Sequence, residues 1–219
     1  MRSISKALFA VLALLAWSPA LAGFTTFSDR ASFEAALDGA ALGEDFSSVS
    51  QVVDFGLSSV SVGDLTLTGG GSTQAELRLC AEGGNFPCQS GAPVSGLVAS
   101  FGLDVGEFFT VDLGGSFTAF GFEFFNSDSN GDAMTVRVGG DDVLALPQQS
   151  RASGFFGFTS TTAFSALSFV NANAAGDVRN AFDDFTWGTA ALTVPAPGGV
   201  ALAGLLLLGC LRRRGAASI

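Results

Sequence analysis

The chain has 219 residues, contains no histidine, and has twenty Asp and Glu against ten Lys and Arg, a formal net charge of −10. Without histidine, a Ser-His-Asp triad, a Cys-His dyad and a histidine-based zinc site are excluded. All twenty acids lie within 23–193, together with five arginines and no lysine, so this segment has a net charge of −15. Nucleic acid is therefore not an expected partner. Because acid/base chemistry is left to carboxylates alone, we expect no enzymatic activity.

The first 22 residues have the pattern of a secretion signal peptide. A basic start precedes an apolar stretch over 7–16, and Ala20-Leu-Ala22 fits the small-residue site of signal cleavage. Cleavage after Ala22 would leave residues 23–193 as one acidic domain, which is long enough to form a hydrophobic core. Export through a secretion translocon is the expected consequence.

The domain reads mainly as short strands. Ser28 is predicted to cap a helix over 29–37. The strand candidates that follow are 60–67 (with a turn at Gly63-Asp64), 108–113, 117–125, 135–138, 143–146, 155–158, 164–170 and 182–187. Gly114-Gly115 and Gly139-Gly140 are predicted to be turns between strands. Many short strands with frequent turns predict an all-β fold, an antiparallel β-sandwich of the jelly-roll type, whose core is supplied by phenylalanine.

Two cysteines lie close together in the domain. Cys80 and Cys88 enclose a short loop that contains Gly, Asn and Pro. An exported protein can oxidise such a pair, so we predict a disulfide between them; a reactive pair or a metal site is the alternative.

Two groups of acids have the oxygen ligands that calcium prefers. Asp128, Asn130 and Asp132 alternate as at the start of an EF-hand loop, but Gly139 stands where the bidentate glutamate would be. A solvated Asx-rich turn is the alternative there. The other group is formed by two sequence-distant pairs, which come together if the first and last strands are neighbours: Glu44 with Asp45, and Asp183 with Asp184. A structural calcium would relieve the repulsion between these carboxylates. The alternative is ordinary alternation at a strand end, in which one acid of each pair points to solvent and the other is partly buried.

Trp187 is the single tryptophan between residues 23 and 193. A tryptophan in an exported β-domain can serve as an exposed platform for a sugar ring. Its position in the last predicted strand favours burial in the core instead.

The C-terminal tail has three parts. Val194-Pro195-Ala196-Pro197 is followed by an apolar stretch, 200–211, and then by Arg212, Arg213 and Arg214. Even counted from Ala196, a helix ending at 211 reaches about 24 Å, short of a hydrocarbon core of about 30 Å. The arginines should stop on the cytoplasmic side, which places the domain outside. A transient membrane anchor is predicted; a permanent anchor is the alternative.

This tail resembles the PEP-CTERM sorting signals of exported proteins in Gram-negative bacteria. Val194-Pro195-Ala196-Pro197 matches the family's Val-Pro-Glu-Pro motif except for alanine at the glutamate position, and the apolar helix and arginine cluster follow. The resemblance implies recognition by an exosortase, with release or transfer to the cell surface or the extracellular matrix. Residues 194–219 would then be absent from the working protein.

The domain also resembles the jelly-roll domains of exported PEP-CTERM proteins, which are similar to carbohydrate-binding modules and lectin-like sandwiches. The resemblance rests on the patterns at 117–125, 135–138, 155–158 and 182–188. A structural or adhesive role at the cell surface, without catalysis, is the expected function. A carbohydrate-binding module that contacts extracellular polysaccharide is the alternative, and a carboxylate-based glycoside hydrolase is a third.

Overall fold

The computed structural model of the chain describes residues 23–71, 76–80, 98–103, 106–126, 134–145, 153–171 and 178–191. The predicted signal peptide with Ala20 and Ala22, Cys88, the 128–132 loop and the sorting tail lie outside these residues. In the described part, no helix is both long enough and apolar enough to cross a membrane.

Twelve strands and one short helix make up the described domain. In chain order they are β1 (Phe24–Phe27), α1 (Arg30–Ala35), β2 (Leu42–Glu44), β3 (Val53–Asp54), β4 (Ser59–Val62), β5 (Leu65–Gly70), β6 (Glu76–Cys80), β7 (Val98–Leu103), β8 (Phe108–Asn126), β9 (Met134–Val138), β10 (Asp141–Ala145), β11 (Ser153–Asn171) and β12 (Val178–Gly188). All strand pairings among them are antiparallel. The predicted antiparallel all-β fold is confirmed.

Two long strands divide the sheet into two layers. β8 and β11 have nineteen residues each and pair with one another along both halves. The first half of β8 and the second half of β11 belong to layer A, in the order β4-β5-β8-β11-β9-β10. Their other halves belong to layer B, in the order β1-β11-β8-β12-β7-β6-β3, with β2 on another part of β12. A strand that passes from one layer to the other is how a sandwich turns a corner.

Phenylalanine rings fill the space between the layers. Phe109 and Phe169 of layer A stack with their centroids 4.5 Å apart, and both are fully buried. Phe169 lies 4.7 Å from Phe182 and 5.1 Å from Phe122, both of layer B. The inner faces of the two layers therefore pack directly on each other, as a sandwich requires.

Three glycine sites show which predicted turns the fold uses. Gly139 and Gly140 have φ of 65° and 95° and form the predicted turn between β9 and β10. Gly63, with φ 54°, forms the predicted β4–β5 turn. The prediction of a turn at Gly114-Gly115 was wrong, because β8 runs through these residues and only bends where it leaves layer A. The predicted strands 155–158 and 164–170 are likewise two halves of β11.

The short helix differs from its prediction at both ends. Asp29, not Ser28, is the N-cap: its backbone is extended and its Oδ1 accepts a hydrogen bond of 2.8 Å from Ser32 N. A carboxylate three residues before a free N–H satisfies one of the unpaired donors of the first turn. The helix packs its one buried residue, Phe33, on Ala119 and Phe155 at the outer face of layer B.

Candidate functional site: an acidic cleft beside a bulge in β12

The structure brings the two acidic pairs to one edge of layer B. β2, rather than the first strand, pairs with β12, and Glu44 stands opposite Phe185 in the register. The predicted first strand, 60–67, instead covers most of β4 and part of β5, and β5 pairs with β8 in layer A. Glu44 and Asp45 thus lie alongside Asp183 and Asp184, although the predicted route through the first strand was wrong.

β12 carries a bulge at these acids. Its partners on β8 change from Asp183↔Glu123 to Thr186↔Gly121, so that β12 contains one residue more than β8 over this stretch. Asp184 takes up the extra length with φ 50°, a left-handed conformation that is uncommon for residues other than glycine. Such strain persists only where surrounding contacts hold it, and it is concentrated at functional sites.

An open cleft of about 530 Å³ lies at the bulge. Its lining consists of Gly43, Glu44, Asp45, Ser48, Gly63, Asp184, Phe185 and Thr186. Phe46, which follows Asp45, has φ 55°; Phe46 and Asp184 are the non-glycine residues with positive φ in the described part of the chain. Three carboxylates and two hydroxyl side chains therefore line one cleft; the strained Asp184 is among them, and the strained Phe46 directly follows Asp45.

Local hydrogen bonds orient the carboxylates of Glu44, the last residue of β2, and of Asp45, which follows it. Glu44 Oε1 accepts a bond of 2.7 Å from Phe46 N, and a Cβ atom at Gly63 would collide with Oε2 of the same carboxylate. The β4–β5 turn thus needs glycine both for its backbone and for the room it leaves to Glu44. Asp45 is exposed and accepts hydrogen bonds from the hydroxyl and the N–H of Ser47, which hold its pKa below the usual value.

Asp183 is the buried acid of the group. Its side chain is 3% exposed, and its Oδ1 accepts a bond of 2.7 Å from Asp184 N. Burial raises its pKa to about 7, and the neighbouring charges of Asp184, Asp45 and Glu123 add to the rise. This carboxyl therefore keeps its proton over a pH range in which an ordinary aspartate is ionised.

Arg30 fastens the helix to the bulge. Its Nη1 donates a 2.7 Å bond to Thr186 Oγ1, and its Nη2 donates to Glu123 Oε1 at 3.3 Å and to the backbone O of Asp184 at 3.2 Å. The Asp184 carboxylate lies 3.5 Å from the same nitrogen, and the guanidinium carbon lies 5.0 Å from the centroid of the Phe155 ring. One planar cation thus holds the strained backbone in place.

Sequence reasoning did not select Arg30 or Glu123. Arg30 begins a short helix, and Glu123 is one polar position in a phenylalanine-rich alternation, which is typical of any half-buried strand. Their contacts join residues 93 and 156 positions apart. No local signal in the sequence marks such a pairing.

The remaining predicted site residues have different outcomes. Among the described residues, no group of three or more Asp, Glu, Cys or His side chains is arranged to hold a metal ion, so calcium stays a prediction. Cys80 is disulfide-bonded, and the pairing with Cys88 stays a prediction because Cys88 lies outside the described residues. Trp187 is 1% exposed and packs in the core, so it cannot act as a sugar platform.

The arrangement of acids favours binding over catalysis. A glycoside hydrolase needs a protonated acid and an ionised carboxylate that both face the substrate. Asp183 has the raised pKa, but it is buried and does not line the cleft, whereas Asp184 and Asp45 line the cleft. The protonated acid of this group is therefore out of a ligand's reach.

Comparisons with known proteins give a distant likeness in fold. No protein-family model and no curated protein matches the chain. A mutant of CBM29-2, a family 29 carbohydrate binding module, is 15% identical over 67% of this chain and 99% of its own, with a TM-score of 0.42. Another mutant of that module, complexed with mannohexaose, is 15% identical over 69% of this chain and 95% of its own, with a TM-score of 0.40. At this distance the likeness carries no information about what the chain binds.

Proposed function

We propose that the protein is exported, sorted to the cell surface by an exosortase, and there binds carbohydrate in the acidic cleft without catalysing a reaction. The observation that carries the binding function is the lining of the cleft: the carboxylates of Glu44, Asp45 and Asp184 with the exposed hydroxyl of Ser48, beside a strained bulge. A structural or adhesive role in an extracellular matrix is compatible with it, since binding to matrix polysaccharide is one way to adhere.

The chemistry of the lining fits a polyol. Ionised carboxylates only accept hydrogen bonds, and every sugar hydroxyl offers a donor to them and a further acceptor to the exposed hydroxyl of Ser48. An anionic ligand would instead meet three carboxylates in a domain of net charge −15. Among carbohydrates, the class that fits is therefore a neutral one and not an acidic one.

The export and sorting part of the proposal rests on the two ends of the chain. Mass spectrometry of the protein recovered from outside the producing cell should show Gly23 at the N-terminus and a C-terminus that ends before Ile219. An exported protein that still ends at Ile219 would contradict exosortase processing. In a strain without its exosortase, the full tail should stay on the protein.

Binding can be tested on an array of neutral, uronate-containing and sulfated oligosaccharides. We expect the purified protein to bind neutral glycans, and an Asp45→Asn, Ser48→Ala variant to bind them roughly tenfold more weakly or worse, because a charge-assisted and a neutral hydrogen bond are lost. Asp38→Asn also removes one negative charge, but from an exposed residue outside the cleft, and should leave glycan binding unchanged. Equal binding by parent and cleft variant would refute the cleft as the site.

A further inference from the structure

The outward face of layer A carries six hydroxyl side chains. Along β5, Leu65 and Leu67 point into the core while the partly exposed Thr66 and Thr68 alternate with them. The same alternation places further hydroxyls on the outward face of the neighbouring strands, at Ser59, Ser61, Thr110 and Ser168. We call these six residues the hydroxyl face.

The register of layer A aligns four of these residues in one row. Ser59 is opposite Thr68, Thr68 is opposite Thr110, and Thr110 is opposite Ser168. Arg137 of β9 continues the row beyond Ser168. With neighbouring strands about 4.8 Å apart, a row across five strands is about 19 Å long.

Hydrogen bonds between the hydroxyls fix their positions and leave binding capacity. The oxygens of Ser59 and Thr68 are 2.8 Å apart, those of Ser61 and Thr66 are 3.2 Å apart, and those of Thr110 and Ser168 are 2.9 Å apart. Each such pair uses one of its two O–H donors internally. Every pair therefore keeps a second donor and further acceptor lone pairs on side chains whose rotamers are already set, which lowers the entropy cost of binding.

An aromatic ring lies beside the row, and a cavity lies at its end. Phe108 is half-buried, and a Cβ atom at Gly70 would overlap its ring, so glycine leaves the ring lying over the neighbouring strand. At the β9–β10 turn, Ser168 and Arg137 also line an open cavity of about 450 Å³. The surface thus offers hydroxyls, an apolar ring and a concave seat side by side.

Charge selects the occupant. The six residues of the hydroxyl face are uncharged, and two charges of opposite sign adjoin them: Asp112 is opposite Thr66, and Arg137 is opposite Ser168. A polyanion would approach a domain of net charge −15 against repulsion, whereas a neutral polymer would not. Hydroxyls that both donate and accept match the hydroxyls of such a polymer.

We propose that the hydroxyl face binds a neutral polysaccharide chain that lies across the strands of layer A. The proposal takes the ligand class from the proposed function but uses a surface separate from the acidic cleft. A chain that lies along the row would contact several strands at once, so affinity should depend on its length.

The test is retardation of the purified protein in native gels that contain neutral glucans, mannans or xylans, with a polyuronate for comparison. The variant Thr68→Val, Thr110→Val keeps the β-branched shape and removes two hydroxyls of the row, and we expect a loss of affinity of roughly tenfold or more. Thr25→Val, Thr26→Val makes the same change on exposed residues of β1 in layer B and should bind as the parent does. Ser168→Ala, alone, provides a milder second variant if the double variant melts at a lower temperature.

Binding of neutral oligosaccharides should tighten with length until they span about 19 Å and then level off. If the hydroxyl-face variants bind the polymer as the parent does, or if none of the neutral polymers retards the parent, the proposal is wrong. The cleft variant Asp45→Asn, Ser48→Ala separates the two sites. If only the cleft variant loses polymer binding, the hydroxyl face is not the binding site and the proposed function stands. If only the hydroxyl-face variants lose it, the hydroxyl face is the binding site and the acidic cleft is not.

Discussion

The interior between the layers and the bulge in β12 follow opposite rules. In the interior, Phe109, Phe122 and Phe169 alternate with outward residues and are fully buried against other rings. At the bulge, Asp183 is buried among like charges and Asp184 has a left-handed backbone. Hydrophobic burial and strand geometry favour the first arrangement, whereas the second costs free energy unless contacts such as those of Arg30 hold it. The packing between the layers thus provides most of the stability, and the bulge in β12 lowers it.

The strongest test of this contrast is a cavity in the interior. Phe169→Ala should lower the free energy of unfolding by about 3–5 kcal/mol, because it removes a fully buried ring that packs on Phe109, Phe122 and Phe182. Phe24→Ala is the matched control, since Phe24 is partly exposed at the edge of layer B and should cost clearly less. Urea denaturation measures both. Equal losses would show that the interior is not where stability is concentrated.

The second test exploits the titration of Asp183. Its pKa is about 7 in the folded protein and 3.8 in the unfolded chain, so between these values the folded state binds more protons. The free energy of unfolding should therefore fall as pH rises through this window, by at most about 1.4 kcal/mol per pH unit from this group, and level off above pH 7. The charged groups around it are Asp184, Asp45 and Glu123, with Arg30 bound to two of them.

Asp183→Asn should remove this fall, because the amide stays neutral and its oxygen can still accept the bond from Asp184 N. Urea denaturation of parent and variant between pH 4.5 and 8 gives the comparison. The variant should be the more stable protein at pH 8. Asp38→Asn, an exposed acid, serves as the control. A parent and an Asp183 variant with parallel profiles would show that burial does not perturb this carboxyl.

How far the sequence predicts these two regions differs for a physical reason. Alternation and paired glycines are local signals, so the core strands and the turn at Gly139-Gly140 follow from the sequence. Gly114-Gly115 is also a pair of glycines, but it forms a bend and not a turn. β8 continues as one strand there because it pairs with β11 on both sides of the two glycines. Three-residue β2 carries too short a pattern to predict, and yet it brings Glu44 to the cleft.

The geometry of the bulge in β12 cannot be predicted from local sequence patterns. Nothing in the residue types of Asp183 and Asp184 tells which one is buried and which one has positive φ. That outcome is decided by Glu123 across the ladder and by Arg30 on a distant helix. The acids could be selected as candidates from the sequence, whereas the groups that hold them could not.

The third test removes the cation that holds the bulge. Arg30→Met should cost about 2 kcal/mol of unfolding free energy, because hydrogen bonds to charged or strained partners at Thr186, Glu123 and Asp184 are lost together. Arg30→Lys keeps the charge but not the planar fork, so it should restore only part of the loss. Glu34→Gln is the control: its carboxylate is 3.9 Å from Arg30 and exposed, and such pairs contribute little. Full restoration by lysine would show that charge alone, not the fork, holds the backbone.

The smallest expected effect concerns calcium at the cleft. If an ion binds there, calcium at ten times its dissociation constant should stabilise the protein by about 1.4 kcal/mol, which raises the melting temperature by roughly 3–5 °C. Binding would require the Glu44 carboxylate to leave Phe46 N and turn towards Asp45 and Asp184, since the acids do not converge on one point as they stand. Asp45→Asn with Asp184→Asn should abolish the shift, and Asp38→Asn should keep it. A melting temperature unchanged at millimolar calcium would leave the cleft as a site for uncharged ligands, whose hydroxyls need no such rearrangement of Glu44.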